Sequence, residues 1–157
     1  MLNFLAQLRR NERGTAVVEF ALVVLPLCLV VFGILDFGRA LNYYNNLTQI
    51  AGQGARAAAV NQDPNGGPAD ANFQHQLACA ITSTELRSGV KIRITTTPST
   101  VGDPVTVTNS YRFHFIPLLK LGLTLSAAQT ERYESGATPG YSNGSDVDAT
   151  VTPVTCP

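Results

Sequence analysis

Twenty consecutive residues, Ala16 to Leu35, carry a single charge, Glu19. As a helix rising about 1.5 Å per residue, that run is roughly 30 Å long, the thickness of a bilayer's hydrocarbon core. A chain of 157 residues has room for one ordinary domain and one extra element. The uneven hydrophobicity makes that extra element a membrane segment. Apolar residues are 45% of the chain but concentrate between Ala16 and Phe37. Charged residues are only 14%, against about 25% for a soluble domain. A secretory signal has a shorter apolar core, about 7–15 residues, and a small-residue cleavage site close behind it. Neither holds here, so the helix is expected to be retained. Arg9, Arg10 and Arg13 stand just before it, opposed only by Glu12. The positive-inside rule keeps that end in the cytoplasm and sends the rest outward.

The helical pattern continues past the membrane edge. Asp36 and Arg39 are three apart and can pair on one helix face. Leu41, Tyr44, Leu47, Ile50, Ala51, Gly54, Ala55 and Ala58 then recur at steps of three and four. The stretch AGQGARAAA gives a face of small residues that admits another helix or surface closely. Packing on the chain's own domain and packing on sister subunits both fit, and the two are compatible. NQDPNGGP should end the helix near Val60. A helix over 15–60 would be roughly 65 Å long. Pro26 lies inside it and should bend it or loosen a turn.

The expected organisation is a basic leader over 1–14, a long helix over 15–60 that spans the membrane over about 16–37, a linker over 61–68 and an extracytoplasmic domain over 69–157. Within that domain Phe73, Leu77 and Ile81 fall four apart in ADANFQHQLACAITSTEL, which predicts a second, amphipathic helix. The period then changes to two. Val90, Ile92 and Ile94 alternate, as do Val105, Val107, Tyr111, Phe113 and Phe115, and LTLSAAQTERYE reads as a third strand. TPSTVGDP is read as a loop and IPLLKLG as the turn before the third strand. The predicted fold is α+β: a long N-terminal transmembrane helix, a second helix and a three-stranded antiparallel sheet. The closing SGATPGYSNGSDVDATVTPVTCP reads as an irregular surface segment. Cys28 sits in the apolar run and is expected to stay a thiol, whereas Cys79 and Cys156 flank the domain and fit a loop-closing disulfide in an oxidising compartment.

The informative block is Arg13-Gly14-Thr15-Ala16-Val17-Val18-Glu19-Phe20. An ionisable side chain in hydrocarbon costs several kcal/mol unless it is paired. If a peptidase cuts after Gly14, Thr15 acquires a free α-amine four residues from Glu19, and that cation can neutralise the carboxylate within the chain or across to a neighbour. Pairing across chains would set axial register between packed helices, because one offset satisfies the buried charge.

Gly14 followed by Glu19-Phe20 resembles the type IV prepilin cleavage motif, in the form used by tight-adherence (Tad/Flp) pili. There the glycine precedes the cut, the glutamate is fifth in the mature chain and an aromatic is sixth, usually tyrosine in the major pilin. The longer string RGTAVVEFALVVLPLCLVVFGILDFGRALNYYNNLTQIAGQGARAAA is more similar to TadE-like proteins. Their pattern has R-G, V-E-F-A-L, a proline in the apolar run, G-x-x-D-x-G-R and a later G-A-R. Here these include Gly33, Asp36, Gly38, Arg39, Gly54, Ala55 and Arg56. The likeness covers about the first 60 residues. It implies a minor pilin or pseudopilin that takes part in assembling an adhesive Tad pilus. The implied partners are a prepilin peptidase, other Tad pilins and pseudopilins, an inner-membrane assembly platform and the lipid bilayer. The Flp major pilin is little more than the helix, so the extra domain points to the minor role. Arg56 is a candidate contact to a domain carboxylate or to another subunit.

Other chemistry is poorly served. The formal net charge is zero, so no nucleic-acid partner is expected. His75 and His114 are single and far apart, without H-x-x-x-H or C-x-x-C company, so no metal is expected. Asp146 and Asp148 lack the twelve-residue calcium-loop pattern. No G-x-S-x-G elbow or Gly-rich phosphate loop is present, and neither an enzyme nor a cofactor is expected. The competing functional readings are an uncleaved single-pass periplasmic scaffold and an adhesin-like binding module.

Overall fold

The computed structural model describes residues 12–95, 98–115, 122–141, 147–148 and 156. Most of the basic leader, the IPLLKL stretch before the third strand, the first residue of the TPSTVGDP loop and much of the C-terminal segment lie outside the described residues. The chain divides into two compact units, Met1–Arg39 and Ala40–Pro157. One helix, α1 (Glu12–Ala59), belongs to both.

In the first unit the described part is α1 alone. Pro26 lies inside it and takes one N–H from the helical ladder. Val17, Leu22, Leu25, Val30 and Ile34 are among the side chains left exposed. Every residue from Gly14 to Leu35 is exposed except Val24, which is half-buried. A helix apolar on all sides, with no protein against it, needs lipid or other helices around it. Among the described residues it is the one helix long and apolar enough to cross a membrane.

In the second unit α1 becomes one-sided. Ala40, Tyr43, Leu47, Ile50, Ala51, Gly54, Ala55, Ala58 and Ala59 are buried, at helical spacing. The small-residue face is therefore covered by the chain's own domain. Gly54 shows how closely: a Cβ there would stand 2.5 Å from Leu77 Cδ2 and 3.3 Å from Val107 Cγ1.

The helix ends in a Schellman motif. Asn61 takes a left-handed φ of 54°, its N–H bonds Ala58 O at 3.1 Å, and the N–H of Gln62 bonds Ala57 O at 2.9 Å. The chain then turns through 61–68, closed by a bridge between Gln62 and Pro68.

The predicted second helix is two. α2 (Phe73–Cys79) stops before Ile81, and α3 (Thr84–Arg87) starts after Ser83. The cause is local. Ser83 is extended, with ψ 117°, and its hydroxyl accepts from Leu86 N at 3.4 Å. A serine that caps a new helix cannot continue the old one. The predicted apolar face is nonetheless the buried one, since Phe73, Leu77 and Ile81 are all in the core.

The sheet is antiparallel, with β1 (Val90–Ile94), β2 (Pro104–His114) and β3 (Gly122–Arg132) in register. Val107, for example, pairs with Ile94 on one side and Gln129 on the other. A fourth strand, β4 (Val147–Asp148), falls in the segment read as irregular and pairs with β1, giving the order β3-β2-β1-β4. Alternation puts Val90, Ile92, Ile94, Val105, Val107, Tyr111, Phe113, Leu125 and Ala127 in the core. Asp103 organises the β1–β2 loop. Its Oδ2 accepts from the N–H of Ser99 at 2.9 Å and of Thr100 at 2.8 Å, which lowers its pKa to about 2.

Two outcomes follow. Gly52 has no heavy atom within 4 Å of where a Cβ would stand, so Gly52→Ala should stabilise by about 0.5–1 kcal/mol through helix propensity. Gly54→Val should destabilise by about 1–3 kcal/mol through overpacking against Leu77. Thermal unfolding of the two variants in detergent checks both signs. The depressed Asp103 pKa makes its contribution present above the ordinary carboxylate value of 3.8 and lost as pH falls through about 2. The Ser99 and Thr100 amide resonances should accordingly titrate near the lower value in an NMR pH series.

Candidate functional site

Gly14 and Thr15 stand in the first turn of α1 and are exposed. Glu19 is one turn further on, four residues from Thr15 and on the same helix face. It is exposed and has no hydrogen-bond or ion-pair partner among the described residues. Phe20, beside it, is exposed as well. Cys28 is a free, exposed thiol on the same apolar stretch.

At the end of the first unit Arg39 and Asp36 approach to 3.7 Å between Nη1 and Oδ1. The two are unequal: the Asp36 side chain is 7% exposed and that of Arg39 49%. A carboxylate held away from water needs compensation by hydrogen bonds or opposite charge, and Arg39 is one source of it.

Arg56 is exposed on the last turn of α1. It has no ion-pair partner among the described residues. It lines an open polar groove of about 430 Å³ with Thr48, Gln49, Gly52, Gln53, Gln129 and Glu131. The groove offers Glu131 as a carboxylate of its own domain, yet the two side chains form no salt bridge.

Cys79 and Cys156 are bonded through their sulfurs, with Cα atoms 5.6 Å apart and 77 positions between them in sequence. His75, one helical turn before Cys79, has Nδ1 4.0 Å from its sulfur. Among the described residues there is no group of three or more His, Cys, Asp or Glu placed to hold a metal ion.

Three polar residues that sequence reasoning passed over tie the second unit together. Asn109 is fully buried and its Nδ2 donates to Leu47 O at 3.1 Å, joining the sheet to α1. The alternation of Val105, Val107, Tyr111 and Phe113 already assigned position 109 to the inner face, and that was the available signal. Asn61 holds the chain beyond β3: its Nδ2 donates to Thr138 O at 3.2 Å and its Oδ1 accepts from Gly140 N at 3.0 Å. Tyr141 is buried, donates to Ala58 O at 3.0 Å and packs its ring 5.4 Å from Phe73. Burial pushes its hydroxyl pKa well up. Residues 135–141 are irregular and mostly on the surface, in keeping with their sequence reading, but Asn61 and the buried Tyr141 also fasten them to the end of α1.

Reducing the Cys79–Cys156 bond should lower unfolding free energy by about 2–4 kcal/mol, because a long loop is released in the unfolded chain. Denaturant titration with and without dithiothreitol, against the Cys79→Ser and Cys156→Ser double variant, measures it.

Comparison with known proteins bears on the helix. A family model described as TadE-like protein matches residues 14–56. No curated protein and no solved structure matches the chain. The matched span starts at Gly14 and stops at Arg56, so it takes in Glu19, Pro26, Asp36 and Arg39 and leaves out the sheet. Over residues 14–56 the chain is thus similar to the TadE-like family, consistent with a TadE-like protein of the Tad pilus system.

Proposed function

We propose that this chain is a minor pilin or pseudopilin that takes part in assembling a Tad pilus. A prepilin peptidase removes the leader between Gly14 and Thr15. The helix then sits in the inner membrane with its N-terminus on the cytoplasmic side, and the domain after it faces the periplasm. The observation that carries this reading is Glu19: a carboxylate with no partner among the described residues, on an apolar helix face one turn from Thr15, inside the segment that matches the TadE-like family model.

The chemistry is electrostatic. Cleavage creates the Thr15 α-amine, one turn from Glu19. In a bundle of such helices the amine of one chain neutralises the carboxylate of its own chain or of a neighbour, and the pairing distance fixes the axial offset. Leader removal also strips three arginines and one glutamate from the cytoplasmic end. That weakens the charge barrier against drawing the helix outward, so extraction depends on cleavage. An oxidising periplasm suits the Cys79–Cys156 bond. The other Tad pilins and the inner-membrane platform are the partners this role requires. Arg56, in its open groove, is available to a carboxylate on one of them.

Intact-mass measurement of the protein from a membrane fraction tests the processing. A chain beginning at Thr15 is expected. A chain beginning at Met1 as the working species points instead to an uncleaved periplasmic scaffold. Glu19→Ala should leave cleavage in place and abolish co-purification with other pilins. If co-purification survives, the register role fails even where cleavage stands.

A further inference from the structure

We propose that the second unit docks on the phospholipid surface through the end of its sheet where β2 passes into β3. This inference rests on the membrane-spanning reading of α1. The surface takes in the exposed side chains of Leu41, Tyr44, Leu123 and Arg112, with Phe115 half-buried against the core beneath it.

Chain connectivity limits how far this end can be from lipid. Leu41 is six residues after Leu35, the last residue of the apolar run, and Tyr44 is nine after it. Along a helix those steps are at most about 9 and 14 Å, whatever angle the helix takes. The polar layer on each side of a bilayer is about 5–8 Å deep. The first turn of the second unit therefore lies in or just above the headgroups.

Contacts within the second unit bring the sheet end to that turn. The Tyr43 ring meets Phe113 at 5.7 Å between centroids, edge to face, and Phe113 meets Phe115 at 5.1 Å. Phe113 pairs across the ladder with Leu123, and His114 with Gly122 is the last pair. The aromatic chain thus runs from α1 to the outer end of the β2–β3 ladder.

This end remains greasy where it meets solvent. Leu41 is 48% exposed, Tyr44 45% and Leu123 48%. Leu123 is on the same face as the buried Leu125, yet is itself exposed. Large aliphatic and aromatic side chains at a membrane exit are the residues that partition into the interface. Arg112 supplies the complementary charge. It is exposed, and its Nε lies 3.2 Å from where a Cβ on Gly122 would stand, so its side chain leans along the sheet towards the last pair. A guanidinium over an apolar rim is placed to meet lipid phosphate. The nearby acid, Glu85, accepts the Tyr43 hydroxyl and is already engaged. The β1–β2 loop provides a reference at another turn of the sheet, with Val101 63% exposed.

The test uses the full chain in nanodiscs of phosphatidylethanolamine and phosphatidylglycerol. A nitrobenzoxadiazole group is attached at native Cys28, or, in a Cys28→Ser background, at Leu123→Cys or Val101→Cys. Bleaching by aqueous dithionite is timed. Position 123 should bleach several-fold more slowly than position 101, and Arg112→Glu should remove most of that difference. Equal rates at 123 and 101, with Cys28 protected, overturn the docking and leave the membrane-spanning helix intact. Fast bleaching at Cys28 overturns both. Protection of 123 that occurs only in discs holding two copies assigns the surface to a second chain and also overturns the proposal.

Discussion

Water is a poor solvent for the first half of α1, and that constraint organises the rest of the molecule. From Gly14 to Leu35 the helix turns apolar side chains in every direction and buries none of them against its own chain. Such a segment cannot choose a face, because it has none to choose. Past its first turn, however, its backbone is served by the helical ladder apart from the break at Pro26, and that is the condition for residing in hydrocarbon. On the proposed reading, the carboxylate of Glu19 is the charged group in the run that such surroundings leave unsatisfied, and its neutralisation is an event rather than a background condition.

The same helix answers a different demand after Arg39. Its side chains sort into a buried stripe of Ala, Gly, Leu and Tyr and an outer stripe carrying Gln49, Gln53 and Arg56. Small residues on the buried stripe let the sheet and α2 come close, and the Gly54–Leu77 approach leaves no room for a methyl group. The family match spans both regimes but ends at Arg56. What the TadE-like pattern covers is thus the helix with its change of character, while the sheet packed on it is specified by this chain's own alternating residues.

Much of this was legible in the sequence because it rests on periodicity. The apolar run, the three- and four-residue steps from Leu47 to Ala58 and the alternation in β1 and β2 survive in the structure, whereas Leu41 and Tyr44, read onto the same face, are exposed and Tyr43 is buried instead. What was not legible depends on single polar atoms finding distant partners. Ser83, four residues after the first short helix has stopped at Cys79, begins another by accepting from Leu86 N. Asn109 read as an interruption of an apolar strand and is instead its tie to α1. Glycine and serine content marked residues 135–141 as irregular surface chain, which they are, but did not show that Gly140 lies against the chain that follows α1, where a Cβ would stand 1.7 Å from Ala69 O. The β4 pairing could not be foreseen from two residues. At the candidate site, the spacing of Gly14 and Glu19 was readable, whereas the imbalance of exposure between Asp36 and Arg39 was not.

The end of α1 has a mechanical meaning. Its last carbonyls are shared out: Ala57 O goes to Gln62, Ala58 O to Asn61 and Tyr141, and Ala59 O to Glu134. Gln62 and Asn61 belong to the chain that leaves the helix, whereas Glu134 and Tyr141 belong to the segment that follows β3. Tension drawn along the helix axis would therefore not arrive at one covalent link alone. It would be divided between the turn at Asn61 and the segment 134–141, as a rope's load is divided between two cleats, and either could slip without the other letting go.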